Sequence, residues 1–158
     1  MRKRPSRSRG EQPASAKTRA VDLLARREHG ARELQRKLTA RGVDADEAAE
    51  AVDALTRDGW QSDERYARAV IRARAGQGYG PRRIRWELGG AGIADGAVAA
   101  AFDAEAIDWL DVAREWFARR HTPGTTPAER ARHWRRLAGR GFDEGTVRAV
   151  LGDAPEFE

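Results

Sequence analysis

Between about residue 18 and residue 152, apolar side chains return every three or four positions, and no stretch alternates with a period of two. This pattern predicts amphipathic helices throughout and no strand. A first helix carries Ala20, Leu23, Leu24 and Arg27 on one face, and Leu34 and Leu38 mark a short second one. A third shows Ala48, Ala51, Val52 and Leu55 at i, i+3, i+4 and i+7. It opens at Asp44 with Glu47 three residues on, a pairing that resembles a capping box. Further stripes follow at Tyr66, Ala67, Val70 and Ile71, and at Trp109, Val112, Ala113, Trp116 and Phe117.

The stripes repeat as a set. Gly42 with Val43, Gly92 with Ile93, and Gly141 with Phe142 stand 50 and 49 residues apart. Four residues before the glycines are Leu38, Leu88 and Leu137. Five residues after the apolar partners come Ala48, Val98 and Val147, and nine after come Val52, Phe102 and Leu151. Four columns in register over three copies define an internal repeat. Three tandem three-helix units are therefore expected, at about 18–60, 62–105 and 107–152.

The loops between first and second helices differ: REHGA, then GQGYGP, then HTPGTTPAER. The last supplies Thr126 as N-cap, Pro127 at the first helical position and Glu129 to close a capping box. Each unit has few large apolar side chains, worth about 1.5–3 kcal/mol apiece when buried. One unit alone could hardly offset its chain entropy. Stacking is the remedy, so the expected fold is all-α, three repeats forming a curved, elongated, solenoid-like molecule with a concave side. Trp60, at the first junction, is expected to act as an inter-unit wedge.

Charge changes the picture by where it falls. The net charge is +5, but residues 1–16 hold Arg2, Lys3, Arg4, Arg7 and Arg9 against Glu11, which is four of the five. This segment, rich in Pro, Ser and Gly, is expected to be disordered. It suits a basic arm that touches nucleic acid, or a solubilising tail. The body is nearly neutral and sorted by element. Residues 44–58 hold six acidic side chains against Arg57 alone, and residues 94–111 hold five and no Arg or Lys. Residues 64–88 hold seven arginines against Glu64 and Glu87, and residues 114–140 hold eight against Glu115 and Glu129. Solvated helix faces with i,i+4 pairing would account for such charges one helix at a time. Sorting by helix type, repeated in successive units, equally suits a binding side.

With Ile84 set at 0° on a helical wheel, Leu88 falls at about 40°, Trp86 at about 200°, Arg82 at about 160° and Arg85 at about 100°. Trp86 thus points away from its own core between two arginines, with Arg36 and Arg135 at the matching positions of the other units. That arrangement suits nucleic-acid or protein contact, and equally inter-unit packing. The candidate partner- or nucleic-acid-binding residues are Arg72, Arg74, Tyr79, Arg82, Arg83, Arg85, Trp86, Arg132, Arg135 and Arg136.

Catalytic patterns are missing. The chain has no cysteine, and His29, His121 and His133 share no i,i+4 spacing, so no metal site, cofactor or thiol nucleophile is expected. GQGYGP lacks the Lys-Ser/Thr of a phosphate loop and follows a helix. It reads as a bend, with Gly80 as N-cap and Pro81 at the first position of the next helix. No apolar run reaches the about 20 residues of a membrane span, and no hydrophobic segment follows the basic start. A non-enzymatic cytoplasmic protein is expected.

The run Asp63-Glu64-Arg65-Tyr66-Ala67, then Arg72, Arg74, Gly78-Tyr79-Gly80-Pro81, Ile84 and Glu87-Leu88, resembles the central repeat of the RecX regulatory proteins. Residues 23–42, LLARREHGARELQRKLTARG, resemble that family's first repeat, and the third unit fits more loosely. Gly30 stands where a serine is common, and Val70 where an aromatic is frequent. The resemblance implies a modulator that binds RecA and its single-stranded DNA filament. It would mostly suppress recombinase, ATPase and coprotease activity in recombination, DNA repair and the SOS response. The alternative is a general helical-repeat module acting on naked single- or double-stranded DNA.

Overall fold

The computed structural model describes residues 14–124 and 126–153. Nine helices and no strand occur among them: α1 (Ala16–Leu24), α2 (Ala31–Ala40), α3 (Ala45–Arg57), α4 (Asp63–Gly76), α5 (Pro81–Gly90), α6 (Asp95–Glu105), α7 (Trp109–Arg120), α8 (Pro127–Gly139) and α9 (Glu144–Leu151). Helices α1–α3, α4–α6 and α7–α9 pack among themselves, and each triplet encloses its own core. Leu34, Leu38, Val52 and Leu55 centre the first, Ile71, Ile84, Leu88 and Phe102 the second, and Trp116, Phe117, Leu137 and Phe142 the third. The expected all-α stack of three-helix repeats is what forms.

The leucine and glycine columns of the repeat share one physical origin. Gly42, Gly92 and Gly141 have φ of 87°, 81° and 98°, the left-handed conformation that ends a helix. Their N–H groups donate to the carbonyls of Thr39, Gly89 and Ala138, each at 3.0 Å. The next residues, Val43, Ile93 and Phe142, donate to Leu38, Leu88 and Leu137 at 3.1, 3.1 and 3.4 Å. This is a Schellman cap, whose accompanying apolar contact joins the third-last helical residue to the second residue beyond the end. The spacing of leucine, glycine and apolar residue is the chemistry of that cap written three times.

Other ends follow their sequence signals. Asp44 accepts from the Asp46 and Glu47 amides, and Thr126 and Glu129 close a full capping box ahead of Pro127. GQGYGP is a bend: Gly78 ends α4 with φ 78°, and Gly80 and Pro81 start α5. Two boundaries differ from expectation. The polar tail stops short of residue 16, because the Ser15 side chain caps α1 by accepting from the Thr18 amide at 3.2 Å, and Ala16 is buried. The rest of the tail, residues 1–13, lies outside the described residues. Arg27 lies beyond α1, whose helical run stops at Leu24.

The first junction is a polar hub. The Gln61 amide, 2 % exposed, donates to the His29 carbonyl at 3.1 Å and to Asp63 Oδ1 at 2.9 Å, while its oxygen accepts from Thr56 at 2.7 Å. Asp63 Oδ1 also accepts from the Ala31 amide at 2.8 Å. That carboxylate satisfies one of the free amides in the first turn of α2, whose glycine N-cap has no side chain to do so. Trp60 is not the wedge: it is 62 % exposed. Gly59 (φ 80°) turns the chain so that the next side chain leaves the junction and Gln61 enters it.

The second junction is built on backbone. Gly80 and Arg82 donate their amides to the carbonyls of Arg140 (2.8 Å) and Gly141 (3.0 Å), so the start of α5 meets the end of α8 dipole to dipole. A Cβ on Gly80 would lie 2.5 Å from the Gly141 oxygen, so only glycine permits the approach.

Candidate partner interface

The candidate residues separate by what already holds them. On α4, Arg72 reaches Glu105 at 2.5 Å and Arg68 reaches the same carboxylate at 2.8 Å. The Arg68 hydrogen bond, with Arg72 beside it, holds the Glu105 carboxyl below its usual range. Arg74 forks onto Glu87 at 2.9 and 2.7 Å and lowers that carboxyl too. Arg72 and Arg74 therefore tie α4 to α6 and α5. The Tyr79 ring stacks with two guanidinium groups, those of Arg83 (4.4 Å) and Arg140 (4.0 Å). Arg140 also stands 4.5 Å from the Trp116 ring and donates to the carbonyls of Gln77 and Gly78 at 2.6 and 2.8 Å. It locks the second junction through cation–π and hydrogen-bond contacts together. Sequence spacing did not single it out, because Arg140 is one arginine among eight in its segment.

The remaining candidates sit on the second helices. On α5, Arg85 lies 4.0 Å over the Phe102 ring and roofs the central core. Trp86 is 80 % exposed, confirming the outward direction read from the helical wheel. Inter-unit packing, the other reading of Trp86, is excluded by that exposure. Arg82 uses its backbone at the junction and leaves its side chain exposed. On α8, Arg132 and Arg135 are exposed, and Arg136 donates to His121 Nδ1 at 3.2 Å. Among the described residues, Arg82, Arg132 and Arg135 form no ion pair within 4.0 Å. What the fold leaves available is thus a subset: Arg82 and Trp86 on α5, Arg132 and Arg135 on α8, with Arg36 exposed at the matching place on α2.

The charge sorting is partly internal. Glu105 neutralises two α4 arginines and Glu87 a third, so the basic character of the middle unit concentrates on α5. No group of three or more His, Cys, Asp or Glu side chains able to hold a metal occurs among the described residues. No helix among them is long and apolar enough to cross a membrane.

Comparison with known proteins agrees with this architecture. Residues 16–55 match the model of the RecX first three-helix domain, and residues 62–101 that of the second. Among curated proteins, the chain is 47% identical over 150 residues to "Regulatory protein RecX" of Xanthomonas oryzae pv. oryzae, covering 92% of each. It is 42% identical over 146 residues to that of Chromohalobacter salexigens, covering 92% of this chain and 96% of the relative. A crystal structure of RecX from Lactobacillus salivarius shares the fold with a TM-score of 0.70 at 19% identity, over 85% of this chain and 91% of that one. With both three-helix models matched and close relatives spanning nearly its whole length, the chain belongs to the RecX family of regulatory proteins.

Proposed function

We propose that this protein is a non-enzymatic, cytoplasmic regulator that binds RecA and the RecA–single-stranded DNA filament and restrains recombinase, ATPase and coprotease activity. The observation that carries the proposal is the near-full-length match to RecX regulatory proteins. The second-helix surface supports it: a bare tryptophan and unpaired arginines sit beside an α4 whose arginines are held by Glu105 and Glu87. Exposed Trp flanked by Arg is suited to base stacking, to phosphate contact and to protein hot spots. A stack of small units offers a long contact surface, as a filament partner requires. No cofactor enters the mechanism, because restraint of a filament needs only differential binding to its states.

The test is the DNA-dependent ATPase of RecA with this protein added below stoichiometry. Suppression of turnover is expected. An unchanged rate and unchanged filament length would contradict the proposal. A general DNA-binding module would instead bind naked DNA tightly, with a salt slope of about 0.7–0.9 per phosphate contacted, and gain nothing from RecA on the strand.

A further inference from the structure

The three Schellman glycines are equivalent in backbone but not in what rests on them. A Cβ on Gly141 would meet the Arg83 nitrogen at 2.6 Å, and one on Gly92 would meet Arg32 Nη1 at 2.8 Å. One on Gly42 would meet nothing within 4 Å. In both filled cases the residue met belongs to the first turn of the preceding unit's second helix, entered through a glycine N-cap, Gly30 for α2 and Gly80 for α5: the side chain of Arg32 lies on Gly92, and the backbone of Arg83 on Gly141. Each brings an arginine at its second or third helical position. The apolar residues beneath, Ile93 and Phe142, are 4% and 1% exposed, while Val43 at the matching place is only partly buried. Among the described residues, nothing rests on the matching turn of unit 1.

We propose that the turn at Gly42 and Val43 is a docking seat for the first turn of an α-helix from a partner protein. Two internal precedents define the occupant: a small residue at the N-cap, then arginine or lysine at the second or third position. Charge agrees, since Asp44, Asp46 and Glu47 follow the seat directly and are exposed, favouring a basic, positively poled helix start. A second copy of this chain fits poorly. Its one second helix not already docked, α8, has its N-terminus closed by Thr126, Pro127 and Glu129. Given the function proposed above, on which this step rests, RecA is the partner that carries the helix.

Ala40 is exposed beside the seat and corresponds to Gly90, which lines the first junction's crevice with Arg32 and Arg36. Affinity for RecA assembled on single-stranded DNA is measured by anisotropy of the labelled protein. Ala40→Trp is expected to bind about tenfold more weakly, with unchanged melting temperature, while Asp53→Trp elsewhere on unit 1 binds as wild type. Wild-type affinity of Ala40→Trp would overturn the seat and leave the RecA proposal standing. No filament binding by the wild type would overturn both. A concentration-dependent wild-type dimer that Ala40→Trp abolishes would also overturn it, giving the seat to a second copy.

Discussion

Gln61 and His29 show how much of the first junction rests on two side chains. Every polar atom of the Gln61 amide is used, and the site is closed to water. Gln61→Ala strands the buried His29 carbonyl, so a loss of about 1–3 kcal/mol is expected in a denaturant titration. His29 is equally constrained. Lys37 Nζ can only donate, so His29 Nε2, 3.2 Å away, must accept and Nδ1–H must donate to the Arg27 carbonyl at 3.0 Å. The ring is held neutral: burial lowers its pKa, the nearby Arg27 and Lys37 charges lower it further, and the Arg27 carbonyl and Glu33 only partly offset them. The sign follows from linkage. A depressed histidine pKa means the unfolded chain takes the proton first, so stability falls as pH drops below about 6.5. Glu33 adds a later acid loss. Burial pushes its carboxyl up, but Arg27, His29 and Lys37 bring it below the usual range, so its share disappears only under still more acid conditions. The melting temperature is therefore expected to be lower at pH 5.5 than at pH 7.5. His29→Asn, which keeps a donor near Nδ1, should flatten that slope, leaving the part due to the similarly depressed His121.

At the scale of elements, the same cap costs differently according to its neighbours. Gly42→Ala meets open space and pays only for a left-handed alanine, about 1–2 kcal/mol. Gly141→Ala pays that and also drives a methyl into the backbone of Arg83, so the second junction must open. Gly141→Ala should lower the melting temperature clearly more than Gly42→Ala, and equal losses would show that the junction is not tightly seated. Helix identity, the caps at Asp44, Gly80 and Thr126, and the outward pole of α5 were all legible in sequence, because each is set by residues within a turn or two. The junctions were not. A buried glutamine carries no periodic signal, while an exposed tryptophan mimics a core residue, so Trp60 was assigned the place that Gln61 fills. Candidate arginines were likewise legible as a charged segment, but not as separate fates. Whether Arg72 meets solvent or Glu105 depends on a contact 33 residues away.

Across the whole molecule, ion pairing takes up the α4 arginines and leaves exposed, unpaired ones at matching positions on successive second helices. Replacing Arg82, Arg83 and Arg85 together would also unroof Phe102 and loosen Tyr79. The cleaner variant is Arg82→Ala with Trp86→Ala and Arg135→Ala, three exposed side chains whose loss should leave helicity and melting intact. Titrating wild type and this variant into the RecA ATPase assay on single-stranded DNA tests the central claim most directly. The wild type is expected to suppress turnover below stoichiometry, and the variant to need about tenfold more protein for the same effect. Equal suppression by both would contradict the assignment of the second-helix surface to the partner, and suppression by neither would contradict the regulatory function itself.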